Sequence, residues 1–195
     1  MGELWFVTGG ARSGKSRFAE RLAERTGRPV LYVATLEGLD DEMRERISRH
    51  RAQRPRAWRT VEAPLQPARA LAQAEAGDCV LLDCLSLWVS NRLLALGETP
   101  AAAALAALEG ELERELDALL DAAAGRDAPT IIVTNEVGAG VVPPAPLGRA
   151  YRDLLGRANQ RAAARAAQAW LLVAGRALEL PPGEAGEGTG GLPGG

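Results

Sequence analysis

Leu4-Trp5-Phe6-Val7-Thr8 runs directly into Gly9-Gly10-Ala11-Arg12-Ser13-Gly14-Lys15-Ser16, which fits the phosphate-binding pattern G-x-x-x-x-G-K-[ST] at every fixed position. The first segment is apolar and rich in strand formers. Past the glycines, Phe18, Ala19, Leu22 and Ala23 recur at helical spacing until Gly27 and Pro29 stop the helix. Strand, glycine loop and helix in that order aim backbone N–H groups and the positive end of a helix dipole at a bound phosphate. Lys15 is the only lysine in the chain, every other basic side chain being arginine. A lysine kept only here points to a need for a compact ammonium on a flexible stem, directed at the β/γ-phosphates of a nucleotide. Ser16 would offer its hydroxyl to Mg²⁺.

Working outward, apolar strand-like runs alternate with helical ones. Strands are expected at residues 30–34, 58–61, 79–82, 130–134 and 170–173, with an edge strand at 176–180. Helices are expected from about Pro67, from about Leu85, over 101–124 with Thr99-Pro100 as cap and first turn, and over 147–168. This alternation implies an α/β fold, a mainly parallel sheet with helices on both faces. On the long alanine-rich helix, Leu105, Leu108, Leu112, Leu116, Leu119 and Leu120 form one stripe, which serves either the core or a subunit contact.

Composition bounds the function. The chain has 195 residues, 47% of them hydrophobic, enough for a proper core in a single domain over residues 1–180. Residues 181–195, mostly Gly, Pro and Glu, read as a disordered tail. A net charge of −2 argues against a dedicated nucleic-acid binder. No apolar stretch is long enough for a membrane span, and no signal peptide is visible, so a cytoplasmic protein is expected. Cys79 and Cys84 bracket a strand and are expected on opposite faces, unbridged, as suits a reducing compartment.

A phosphate loop needs a carboxylate to help hold the metal, commonly at the end of a buried strand. Asp83, after Val80-Leu81-Leu82, fits, although an aspartate there also serves as a helix cap. Glu136, after the strand ending at Thr134, competes with it. His50, the only histidine, follows the helix start Asp40-Asp41-Glu42 and shares a helical face with Met43 and Ile47. It is either a packed core residue or a neutral imidazole among Arg44, Arg46, Arg49, Arg51, Arg54 and Arg56, where guanidiniums lower its proton affinity and suit it to attack phosphorus.

The motifs Gly9 to Ser16, Val33-Ala34-Thr35, Asp40-Asp41-Glu42-Met43 with Arg46-Ile47 and His50, Trp58-Arg59-Thr60 with Glu62, Leu81-Leu82-Asp83-Cys84, Val133-Thr134-Asn135-Glu136-Val137-Gly138, and Arg152-Asp153 through Arg161 occur in an order that resembles the bifunctional adenosylcobinamide kinase/adenosylcobinamide-phosphate guanylyltransferase family of cobalamin biosynthesis. The likeness spans roughly residues 1–180. It implies a RecA-type P-loop fold assembled as a homotrimer, with ATP and GTP as nucleotide substrates and adenosylcobinamide as acceptor. It also implies Lys15 and His50 as catalytic residues, the latter forming a GMP-histidine. The nucleotide would be held by Gly9, Gly10, Ala11, Arg12, Ser13, Gly14, Lys15 and Ser16, by Ala34, Thr35 and Leu36, by Arg51, Ala52, Gln53 and Arg54, and by Glu62 and Asp83. Ser16 and Asp83 would face Mg²⁺.

Two departures stand out. Arg51-Ala52-Gln53 replaces a lysine followed by Asp-Gly in relatives, and Asp83 is a methylene shorter than their glutamate, so its metal or ribose contact would pass through water. The rival readings are a P-loop small-molecule kinase that never labels with GMP, and a non-catalytic nucleotide switch acting on a protein partner.

Overall fold

The computed structural model describes residues 2–36 and 54–182. Its elements are β1 (Leu4–Gly9), α1 (Lys15–Arg25), β2 (Val30–Ala34), β3 (Arg59–Glu62), α2 (Pro67–Leu71), β4 (Cys79–Asp83), α3 (Leu85–Leu94), α4 (Ala102–Ala124), β5 (Thr130–Val133), α5 (Pro146–Ala164), β6 (Gln168–Val173) and β7 (Arg176–Leu180). Seven strands form one sheet in the order β3-β2-β4-β5-β1-β6-β7. All pairs are parallel except β6 with β7.

The central strands are apolar throughout because both faces are covered, and the period of two sorts their side chains. Val30, Tyr32, Cys79, Leu81, Ile131 and Val133 pack with Ala19, Leu22 and Ala23 of α1. Leu31, Val33, Val80, Leu82 and Ile132 pack with α2, α3, α4 and α5 on the other face. The connection from β1 leads through α1 toward β2 on one side, whereas that from β5 leads through α5 to β6 on the other. The crevice between the carboxyl ends of β1 and β5 is therefore the topological switch point, where open α/β sheets bind ligands.

The leucine stripe of α4 belongs to the core. Leu108, Leu112, Leu116, Leu119 and Leu120 are buried, and Leu105 packs against the same cluster half-buried. Both α4 and α5 lead into parallel strands, so they run side by side in the same direction. Arg157–Glu109, Arg161–Asp117 and Arg165–Asp121 rung the pair at a four-residue repeat on α5. These pairs are largely exposed and contribute little individually beside the buried leucines.

Several boundaries differ from the sequence expectation. Ala101 caps α4 without a side-chain hydrogen bond, so Thr99-Pro100 lies outside the helix. Alanine propensity sustains its start without a polar cap. Gln168 belongs to β6 because Ala167 N–H donates to Leu4 O (2.8 Å) and Gln168 registers with Trp5, so sheet pairing overrides helix propensity there. Cys79 and Cys84 are both buried on the α1 face, since β4 ends at Asp83 and alternation ceases where Cys84 caps α3. They are unbridged. The tail from residue 183 lies outside the described residues, as do Asp40, Asp41 and Glu42.

Leu116→Ala should destabilise the protein by about 2–5 kcal/mol, measured as a shift in the urea midpoint at constant slope. Burial raises both thiols to about 11 from an ordinary 9.0. The folded chain favours the neutral thiol, so this contribution is intact below about pH 9 and is lost as pH rises toward 11. Native protein at about pH 8 should therefore resist iodoacetamide at both cysteines, with modification by mass spectrometry appearing only on unfolding.

Candidate active site

The glycine loop joins β1 to α1 and is fixed from both sides. Glu136 N–H, continuing from β5, donates to Gly9 O (3.1 Å), and Gly175 N–H, in the β6–β7 turn, donates to Ser13 O (2.9 Å). A Cβ on Gly9 would fall 2.5 Å from Leu172 O and 2.7 Å from Ser13 Oγ. Gly14 caps α1 in a left-handed conformation (φ 91°) with no side-chain hydrogen bond, so no cap side chain takes up the first-turn amides. Lys15 is buried to 9% exposure and its ammonium donates to Gly10 O at 3.2 Å. The Thr8 and Ser13 hydroxyls are buried without a hydrogen-bond partner among the described residues. A ring of amides, a buried ammonium and spare hydroxyl donors suits an anion with several oxygens.

Next to the loop, the carboxyl ends of β3, β2 and β4 align Glu62, Ala34 and Asp83 in register. Asp83 closes β4, and the cap of α3 is Cys84, so the helix-cap reading of Asp83 is not the one adopted. Tyr32 O–H donates to Asp83 Oδ2 at 2.7 Å. The Tyr32 ring stacks on Trp58 with centroids 6.4 Å apart, and the Arg54 guanidinium lies 3.4 Å from its centroid. Burial, followed by the Asp83 charge, holds the Tyr32 hydroxyl well above its ordinary value and keeps it a donor. Glu20 joins this corner from α1, its carboxyl raised first by burial and then by Asp83, with Arg54 pulling the other way.

Thr35 is fully buried. Its hydroxyl donates to Cys84 O and accepts from Cys84 N–H, both at 2.7 Å, while its carbonyl accepts from Asn91. The threonine thus ties the end of β2 to the end of β4 through its side chain. Leu36 follows, half-buried, and Glu62 is exposed. Glu136 is exposed too, its carboxylate turned back on the Gly138 amide. His50, Arg51, Ala52 and Gln53 lie outside the described residues.

Glu20, Tyr32 and Trp58 were not singled out from sequence as site residues. Glu20 carried a usable signal, standing four residues after Ser16 on the same helical face. Tyr32 carried none, since an aromatic residue in a strand ordinarily serves the core, whereas Trp58, just before β3, stood in the Trp58-Arg59-Thr60 motif without pointing to a site role.

A buried strand, a glycine cradle and a helix N-terminus at the switch point of a parallel sheet define a nucleotide-binding protein of the P-loop NTPase class, RecA-like in its sheet. A solved ATPase of the type III secretion system of pathogenic bacteria shares this fold at a TM-score of 0.54 and 16% identity, over 89% of this chain and 51% of that one. The chain belongs to the cobinamide kinase / cobinamide phosphate guanyltransferase family, which it matches over residues 5–180. It is 45% identical over 175 residues to the bifunctional adenosylcobalamin biosynthesis protein CobP of Pseudomonas aeruginosa, covering 89% of this chain and 95% of that protein. It is 44% identical over 177 residues to the corresponding CobU of Salmonella typhimurium, covering 89% and 97%.

Gly9→Ala should lower stability by about 1–3 kcal/mol through the clash with Leu172 O and Ser13. Gly10→Ala, whose Cβ would meet nothing within 4 Å, should leave it unchanged. Thermal unfolding of the two variants side by side measures the contrast.

Proposed function

We propose that the chain carries out two transfers at the switch point. A nucleoside triphosphate, ATP or GTP, first gives its γ-phosphate to the aminopropanol hydroxyl of adenosylcobinamide. GTP is then attacked at its α-phosphorus by the His50 imidazole, a P–N bond forming as the α–β linkage breaks and pyrophosphate leaves. The phosphate oxygen of adenosylcobinamide phosphate displaces the histidine, giving adenosylcobinamide-GDP and free imidazole. The observation that carries this reading is the fixed cradle of Gly9 to Ser16 in a chain matching a kinase/guanyltransferase family over residues 5–180.

In this reading the amides of Gly10, Ala11, Arg12, Gly14 and Lys15 and the Lys15 ammonium hold the non-reacting oxygens, while Ser13 N–H donates to Gly10 O (3.2 Å) and shapes the loop; positioning is most of what phosphoryl transfer needs. Ala34, Leu36, Arg51, Ala52, Gln53, Arg54 and Glu62 complete the nucleotide site. Thr35 contributes by pinning the ends of β2 and β4, its hydroxyl being taken by Cys84. Ser16 and Asp83 are hard oxygen donors, and no group of three or more His, Cys, Asp or Glu among the described residues could cage an ion. That donor set fits Mg²⁺, which is held through one or two carboxylates and substrate phosphates and retains waters. When bound, Mg²⁺ neutralises charge developing on the transferred phosphoryl group and on pyrophosphate. Tyr32 would keep Asp83 aimed at it. Asp83 is preferred over Glu136 because it is set in register beside Ala34, whereas Glu136 is folded back on Gly138.

Nucleotidyl transfer separates this reading from a plain kinase and from a switch. No helix among the described residues is long and apolar enough to cross a membrane. A homotrimer in the cytoplasm, acting on small molecules, goes with the same proposal.

With α-labelled GTP and Mg²⁺, the protein should acquire an acid-labile, base-stable label. His50→Ala should abolish it while sparing much of the kinase step, and Lys15→Ala should depress both reactions by roughly 10²-fold or more. Full labelling of His50→Ala would remove the guanylylation half of the reading.

A further inference from the structure

At the carboxyl edge of the sheet, most described connections are short. β4 enters α3 through Cys84, β6 turns into β7 through Ala174 and Gly175, and β3 reaches α2 through residues 63–66. Among the connections described in full, that from β5 to α5 over residues 134–145 is the longest at this edge, and it starts beside the cradle at the switch point. Loops of this kind commonly carry binding residues on a rigid base.

Both ends of this loop are fixed. Thr134 N–H donates to Val7 O (2.9 Å), Glu136 N–H to Gly9 O (3.1 Å), and the Asn159 side chain donates to Asn135 O (2.9 Å). Val137 and Leu147 pack against the core. On the return, the Arg149 guanidinium donates to Pro143 O (3.0 Å) and Pro144 O (2.6 Å). Between these anchors Val141 is 96% exposed and Val142 57% exposed. From Val137 to Leu147 the sequence contains no charged residue. Two adjacent valines held out in solvent on a loop anchored at both ends add nothing to the core and leave an apolar surface open to a ligand.

We propose that residues 138–142 are an apolar platform for the corrin macrocycle of the acceptor, with Val141 and Val142 as its contacts. This rests on the transferase reading above and names the part of the site that meets the acceptor. The reacting hydroxyl must reach the phosphate at the cradle, but the macrocycle is far too large to enter it. Its bulk must lie over neighbouring surface, and this loop begins one hydrogen bond away from Gly9. A broad ring edged with methyl groups and neutral amides matches an uncharged, valine-tipped loop. A phosphate or a nucleic acid would call for basic residues there.

The test is equilibrium dialysis of adenosylcobinamide against the full chain with a non-hydrolysable GTP analogue, alongside the analogue's own affinity measured without corrinoid. Val141→Asp with Val142→Asp should weaken corrinoid binding roughly tenfold or more and leave nucleotide affinity within about twofold, while Val141→Ile with Val142→Ile should retain corrinoid binding. Unchanged corrinoid affinity in the aspartate variant overturns the proposal. So does an equal loss of both affinities, which would make the loop a support of the cradle, or a loss that tracks subunit dissociation in sedimentation, which would make it a contact between copies. If the unaltered protein binds the GTP analogue but no adenosylcobinamide, the transferase reading fails first and this proposal with it.

Discussion

The structure depends on two backbone hydrogen bonds that grip the glycine loop from its neighbours, Glu136 N–H to Gly9 O on one side and Gly175 N–H to Ser13 O on the other. A loop whose amides converge on an anion can satisfy few of them within itself, here Ser13 N–H on Gly10 O (3.2 Å), so the rest of its shape has to be imposed from outside. Here the imposing elements are the strand beside β1 and the hairpin beyond it. The space they leave at Gly9 admits no side chain, which is why the residue there has to be glycine.

That grip explains why the sheet is arranged as it is. Placing β1 between β5 and β6 brings both clamps to the loop and makes the connections of β1 and β5 diverge, opening the crevice where a ligand binds. The same divergence puts α1 on one face and α5 on the other, so the nucleotide cradle and the β5–α5 loop grow from adjacent strand ends. Farther along the edge, Thr35 ties β2 to β4 while Tyr32 holds Asp83, and the Tyr32 ring is itself covered by Arg54 and Trp58. Arg54 thereby connects the carboxylate corner to the segment that contains His50 in the sequence.

The cradle was legible in the sequence because every constraint on it is local: a strand former, glycines at fixed offsets, one lysine and an amphipathic helix. Strand and helix order was legible for the same reason, through periodicity. What escaped was set by distant partners. Gln168 is strand because Leu4 and Trp5 pair with its neighbourhood, whatever the preceding alanines favour. Cys84 turns to the same face as Cys79 because the strand ends one residue earlier. Tyr32 looked like any buried aromatic until Asp83, fifty-one positions away, was found on its hydroxyl. Thr35 belonged to a recognisable motif, yet that its hydroxyl is occupied by Cys84 is visible only in three dimensions.

The central claim is a cradle formed in advance of its ligand. Its most direct test is a crystal structure with a non-hydrolysable GTP analogue and Mg²⁺. In that complex the β- and γ-phosphate oxygens should lie within hydrogen-bond reach of the loop amides, the Lys15 ammonium should turn from Gly10 O onto phosphate, and the loop backbone should be displaced by less than about 1 Å. A nucleotide bound elsewhere, or a loop that releases both the Glu136 and Gly175 bonds to accommodate it, would show that the cradle is not formed in advance.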